Sequence, residues 1–203
     1  MVARKSVIIN AKRLRDKNIL NNIPGDRPGW YCWWAPGNVL KLLLNSKYIS
    51  REYFDKLLLH LSKKKINGID HYCFYVGVAI KESIRGRLDW HVNQKHNENN
   101  VFYGTLSTLR QSISSLMAGN QMNEKFTNLF IDMCLVEYYV LDEPIKSQSA
   151  KLQIEKIEHE LLNKTTLPIN IQCNHNVFIK EYKKELQNAR KKAKLQVANS
   201  FLQ

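Results

Sequence analysis

The sequence has no run of eighteen apolar residues, so no segment is expected to cross a membrane as a helix. Its first 22 residues mix Arg4, Lys5, Lys12, Arg13, Arg15 and Lys17 with short apolar stretches. They lack the continuous apolar segment and the small-residue cleavage site of a secretory signal, which makes a cytoplasmic location the expectation. Cysteine is sparse. Cys32, Cys73, Cys134 and Cys173 lie far apart, and none forms a C-x-x-C pair. The first three sit in strand-like apolar runs, where a free cysteine behaves as a small hydrophobe. His175 is close to Cys173, but no second pair stands at metal-ligand spacing, so buried thiols are expected rather than a zinc site. Acidic residues are also short: 31 Lys and Arg face 18 Asp and Glu, giving a net charge of +13 and a pI near 9.6. That balance favours a polyanionic partner, with nucleic acid before an anionic membrane, over a basic surface that is only solvated. No internal repeat, low-complexity tract, zinc finger or helix-turn-helix signature stands out.

What remains is a chain of 203 residues, 44% apolar, which suffices for a single domain over 1–203 with a real core. The aromatic run 30–35, bounded by Pro28-Gly29 and Pro36-Gly37, reads as a strand. Residues 39–66 read as two helices, one with Val39, Leu40, Leu43 and Leu44 on its apolar face, the other with Tyr53, Phe54, Leu57, Leu58 and Leu61. Ser50 is the expected N-cap of the second, and Asn67-Gly68 ends the unit. A second strand covers 71–79, a helix 82–94 and a polar, asparagine-rich loop 95–100. Helical period returns over 105–117 and again around 123–130. A third strand covers 134–141, and a helix 148–163 stops before Pro168. A long basic helix spans 177–201 and carries Lys180, Lys183, Lys184, Arg190, Lys191, Lys192 and Lys194. It serves either as a docking helix with a solvated face or as a phosphate-contacting one. The expected architecture is α+β: a small three-stranded sheet flanked by helices, with a helical tail.

Three residues have chemistry that placement alone brings out. Arg87 and His91 stand at i and i+4 and share a helix face beside Ile84 and Leu88. An arginine there can fork onto a phosphate, and a histidine can carry a proton. The competing reading is an arginine packed on the sheet and a satisfied histidine at the core edge. On the later helix, Ile154, Ile157, Leu161 and Leu162 define an apolar stripe, and Glu158 falls inside it by phase. A carboxylate on such a face is costly unless a cation or hydrogen-bond donors meet it. Either a hard divalent ion such as Mg²⁺ or an ion pair with Arg87 would serve. Tyr31 and Tyr75 on strands read as packing residues when taken alone, and Trp33, Trp34 and Trp90 as core.

Taken in order, these pieces resemble the GIY-YIG nuclease superfamily. Gly29-Trp30-Tyr31 and Tyr75-Val76-Gly77 look like its two namesake elements. Arg87-Leu88-Asp89-Trp90-His91 matches its arginine followed by a histidine. Glu158, Pro168 and Asn170 match its glutamate, proline and asparagine, and so select the glutamate that helical phase selects. The resemblance covers about 29–170. Trp33-Trp34 and Ser107-Thr108-Leu109-Arg110-Gln111-Ser112 are similar to a bacterial subgroup whose relatives include restriction endonucleases. Two departures stand out: a helical insertion at 36–68 separates the namesake elements, and Arg87 follows Tyr75 at slightly more than the usual spacing. A helical extension at 176–203 ends the chain.

The resemblance implies metal-dependent hydrolysis of double-stranded DNA, with one divalent ion, Mg²⁺ or Mn²⁺, on Glu158. Arg87 would hold non-bridging oxygens, and Tyr31 would act as general base. A free tyrosine has a pKa of about 10, so that role calls for nearby cations to lower it. Tyr75 and His91 would position the water and its proton path, and Asn170 would brace the site. Lys81, Arg85 and Arg110 are candidate substrate-binding or tuning cations. A type II restriction enzyme competes with a repair or mobile-element nuclease. Outside enzymes, a binding module without catalysis and an RNA-directed accessory protein are the rivals. Cutting both strands with one site per chain favours a homodimer.

Overall fold

In a computed structural model, residues 6–44, 50–171 and 174–200 are described. Cys173, Phe201 and part of the expected 39–66 helical unit lie outside them. The chain opens with strand β1 (Val7–Asn10), a 3-10 turn (Ala11–Arg15) and helix α1 (Lys17–Asn21). Then come β2 (Gly29–Pro36), α2 (Gly37–Leu44), α3 (Arg51–His60), β3 (Lys63–Ile66) and β4 (Ile69–Ala79). Next are α4 (Ile84–Asn93), α5 (Glu98–Phe102), α6 (Thr108–Ala118), α7 (Glu124–Asp132) and β5 (Leu135–Val140). α8 (Gln148–Lys164), a 3-10 turn (Val177–Ile179) and α9 (Lys180–Ser200) complete the fold.

The class is α+β, but the sheet has five strands, not three, in the order β1-β5-β2-β4-β3 with every pair antiparallel. The three expected strands form its centre, and the two additions are edges. β3 corrects the reading of 39–66 as helical throughout. Asn67 and Gly68 both adopt positive φ, 50° and 79°, so they do not end a helix. They form the two-residue turn of a hairpin that folds Lys63–Ile66 onto β4. The lysines of that strand also suit an edge, since exposed charge discourages further strand pairing. Part of the expected polar loop 95–100 is likewise ordered into α5, with Asn97 as its cap.

Alternation along β2 divides the interior. Tyr31, Trp33 and Ala35 face the large core, which Leu40, Leu57, Ile84, Leu88, Leu109, Ile113 and Leu186 also enter. Cys32 and Trp34 face the opposite side with Cys73 and Val76, and Leu162 of α8 and Leu167 cover them. Cys32, Cys73 and Cys134 are buried free thiols. Helix α9 buries Tyr182, Leu186, Ala189, Ala193 and Val197 along one stripe and packs on α5 and α6. Lys180, Lys184, Lys191 and Lys192 remain on its exposed side.

Candidate active site

The site begins at the register between β2 and β4. Tyr31 stands opposite Gly77, and Trp33 stands opposite Tyr75. The two tyrosines therefore share a face as diagonal neighbours, with ring centroids 6.5 Å apart. Gly77 is fixed by sterics: a Cβ there would overlap the Tyr31 hydroxyl, so the hydroxyl end of the phenol lies against the glycine. Gly29 is constrained in the same way by the Tyr139 carbonyl on β5. The tyrosine of the first namesake element thus packs against the glycine of the second. Next to it, Asn170 accepts a hydrogen bond from the Val76 N–H at 2.9 Å and donates to the Val76 carbonyl at 2.8 Å. Its amide takes the place of a neighbouring strand beyond the end of β3.

Helix α4 supplies the next two groups. Ser83 caps it, accepting from the Gly86 N–H at 3.0 Å. His91, 1% exposed, places Nε2 2.5 Å from the Tyr31 hydroxyl. Burial, with Arg87 and Arg110 adding to it, holds the imidazole pKa well below its usual range, so the ring is neutral. Tyr31 then donates and Nε2 accepts, which leaves the buried Nδ1 without a partner among the described residues. Burial also drives the Tyr31 pKa well above that of a free phenol, with Tyr75 adding to it and Arg87 only partly opposing. The lowering expected from nearby cations is therefore outweighed. Tyr75 is pushed up to about 12 by burial, with Arg87 and Arg190 pulling the other way.

Arg87 does not pair with Glu158. Its guanidinium lies 2.6 Å from a Glu82 carboxylate oxygen and 4.8 Å from the centre of the Trp90 ring. Glu158 projects from α8 between buried Ile154 and Leu162, one turn to either side, and is itself half-buried. It forms no ion pair among the described residues. Burial, then Glu155, raises its pKa above the usual carboxylate value. Tyr31, Tyr75, Arg87, Glu158 and Asn170 line one open cleft of about 200 Å³. That is room for a phosphate group and several waters at about 30 Å³ each. A lone carboxylate oxygen donor with space for water and phosphate oxygens suits Mg²⁺, which commonly keeps most of its waters. Among the described residues no group of three or more His, Cys, Asp and Glu could enclose a metal.

The other expected cations lie elsewhere. Lys81 is exposed, and Arg85 packs its guanidinium against Gly25; neither lines the cleft. Arg110 does not reach substrate, because it is wholly buried. Its Nε donates to His96 Nε2 at 2.8 Å, and its other nitrogens donate to the carbonyls of His91 and Val92 and to Asn128. It therefore satisfies the last carbonyls of α4, where a cation also meets the negative end of the helix. Arg110 anchors the turn that carries His91. Burial lowers its pKa to about 10 and that of His96 to about 4.

Three residues near the site escaped sequence reasoning. Thr108, the first residue of α6, lines the cleft. Arg190 of α9 donates to Gln111, one turn further along α6, and acts electrostatically on Tyr75. It was one basic residue among many on α9, and only its helical phase beside Leu186 and Ala189 distinguished it. Glu82, just before the Ser83 cap of α4, carried no signal that marked it for the site.

Two tyrosines, an arginine and a carboxylate converge on a phosphate-sized cleft of a basic α+β fold, an arrangement suited to a nuclease domain acting on nucleic acid. Residues 29–192 match the model of the GIY-YIG catalytic domain, and the chain belongs to that family. The match spans the 36–68 segment and most of α9 as well as the namesake elements. No match was found among curated proteins or solved structures.

Proposed function

We propose that this protein is a divalent-metal-dependent endonuclease that hydrolyses double-stranded DNA, built as one domain over 1–203 and acting in the cytoplasm as a homodimer. The observation that carries this reading is the convergence of Tyr31, Tyr75, Arg87, Glu158 and Asn170 on one cleft. Glu158 would hold one Mg²⁺ or Mn²⁺ ion, whose chemistry is to polarise the phosphate and stabilise the leaving oxygen. Arg87 binds the non-bridging oxygens and meets the charge that develops on them. Tyr31 passes its proton to neutral His91 Nε2 and accepts one from the attacking water. Tyr75 orients that water. Asn170 fixes the Val76 backbone and with it the adjoining tyrosine.

Among such enzymes we favour a type II restriction endonuclease over a repair or mobile-element nuclease. The sequence similarity around Trp33-Trp34 and 107–112 supports this. Incubation of plasmid and long linear DNA with Mg²⁺ or Mn²⁺ tests the proposal. Discrete fragments are expected from the wild type, and none from Glu158→Ala or Arg87→Ala. Nicking at random positions would remove the restriction reading. DNA binding without cleavage in either metal would leave a binding module in place of the enzyme.

A further inference from the structure

Glu82 lies in the short loop between β4 and the Ser83 cap of α4, and its carboxylate meets Arg87 Nη2 at 2.6 Å. It does not line the cleft, whereas Arg87 does. Trp90, one turn along α4 from Gly86 and Arg87, presents its ring to the same guanidinium at 4.8 Å. Arg87 is thus held from two directions, by an anion at one terminal nitrogen and by an aromatic face. Its buried Nε has no hydrogen-bond partner among the described residues. A guanidinium offers a rigid fork of donors, so fixing one nitrogen fixes where the others point.

The side-chain exposures, 26% for Arg87 and 39% for Glu82, make this pair a poor source of fold stability. A carboxylate beside a phosphate-binding cation also works against ground-state binding, because it offsets the positive charge that a polyanion seeks. Glu82 also raises the pKa of Tyr31, behind burial and Tyr75. A negative charge placed there is useful only if orientation is worth more than attraction.

We infer that Glu82 is a positioning residue for phosphodiester cleavage, holding the Arg87 guanidinium in its cleft-facing orientation at the expense of affinity for DNA. The inference rests on the nuclease reading and deepens it. It predicts a split between binding and chemistry that neither a structural role nor a direct substrate contact would give.

Single-turnover cleavage and metal-free DNA binding of Glu82→Ala, Glu82→Gln and the wild type test it. Glu82→Ala is expected to lower the cleavage rate roughly tenfold to a hundredfold, as for a misdirected catalytic group. The same change tightens DNA binding by about twofold to fivefold, the scale of one screened charge. Glu82→Gln keeps a carbonyl acceptor for Arg87, so it should bind DNA as tightly as Glu82→Ala yet recover much of the rate. Unchanged rates, a faster Glu82→Ala enzyme, or parallel losses of rate and affinity would each overturn the inference. If the wild type cuts no DNA, the nuclease reading fails by itself. The Arg87 Nε–H resonance then decides whether Glu82 positions the guanidinium: it should move in Glu82→Ala and stay near its wild-type position in Glu82→Gln. An unmoved resonance in Glu82→Ala would refute the positioning role.

Discussion

The hydroxyl of Tyr31 occupies the space in which a side chain on Gly77 would begin. The smallest enlargement, Gly77→Ala, must therefore push the phenol away from His91 or bend β4. A loss of about 1–3 kcal/mol is expected from overpacking. Cleavage should fall further than that loss explains, because the Tyr31–His91 hydrogen bond cannot re-form at 2.5 Å. Thermal denaturation paired with plasmid cleavage at a temperature where the variant is folded checks this. Full activity in a folded Gly77→Ala protein would show that the tyrosine is not needed in that place.

Glu158 is expected to cost stability when ionised and empty. Its folded-state pKa is raised by burial and by Glu155, so the folded protein prefers the protonated acid. That preference stabilises the fold at low pH and turns into a penalty as pH rises through the carboxylate range. Glu158→Gln should therefore raise the metal-free Tm at pH 7 by about 1–3 °C while abolishing cleavage. Adding Mg²⁺ should narrow the gap by stabilising only the wild type. Calorimetry with and without metal measures both effects.

Glu155 gives a second handle on the same carboxylate. Replacing it by glutamine removes the like charge that helps to raise the Glu158 pKa. The acidic limb of the pH–rate profile should then move to lower pH, with the plateau rate unchanged. A limb that stays in place would mean that a different group controls it.

Arg110 should behave as a stability residue. Removing it leaves the acceptors on His96, Asn128 and the end of α4 without their donor at once. We expect Arg110→Met to lose roughly 2–4 kcal/mol and to retain DNA affinity when measured well below its Tm. Selective loss of affinity in a folded variant would return Arg110 to the substrate.

His96 adds a pH dependence of known sign. Its pKa, about 4 in the fold, lies below the ordinary value because burial and Arg110 oppose a second cation. The stabilising contribution of the neutral ring is complete above about pH 6.5 and is lost as pH falls towards 4, up to about 3 kcal/mol. Urea titrations across that window should show the loss, and His96→Asn should flatten it.

How far the sequence could be read depended on what each residue had to do. The three central strands were legible because buried strands need aromatic and branched residues between turn signals. β1 and β3 were not, since an edge strand of four residues tolerates exposed lysines and half-exposed valine and isoleucine. Lys63 to Ile66 followed a helical stripe without a break, and only Asn67-Gly68 announced the hairpin. Glu158 was legible twice, by helical phase and by family pattern. Arg110 misled because charge suggests a surface, although its neighbours Leu109 and Ile113 are core residues. The Arg87–Glu82 pair was out of reach, because it depends on the path of a loop and on no periodicity.

The amide of Asn170 has a consequence beyond the cleft. It occupies both backbone groups of Val76, so β4 offers no free hydrogen-bonding rung at that residue, where the sheet would otherwise lie open. An extended segment from another molecule cannot add itself there. The cleft wall at Val76 is thus guarded against the form of self-association to which exposed strands are prone.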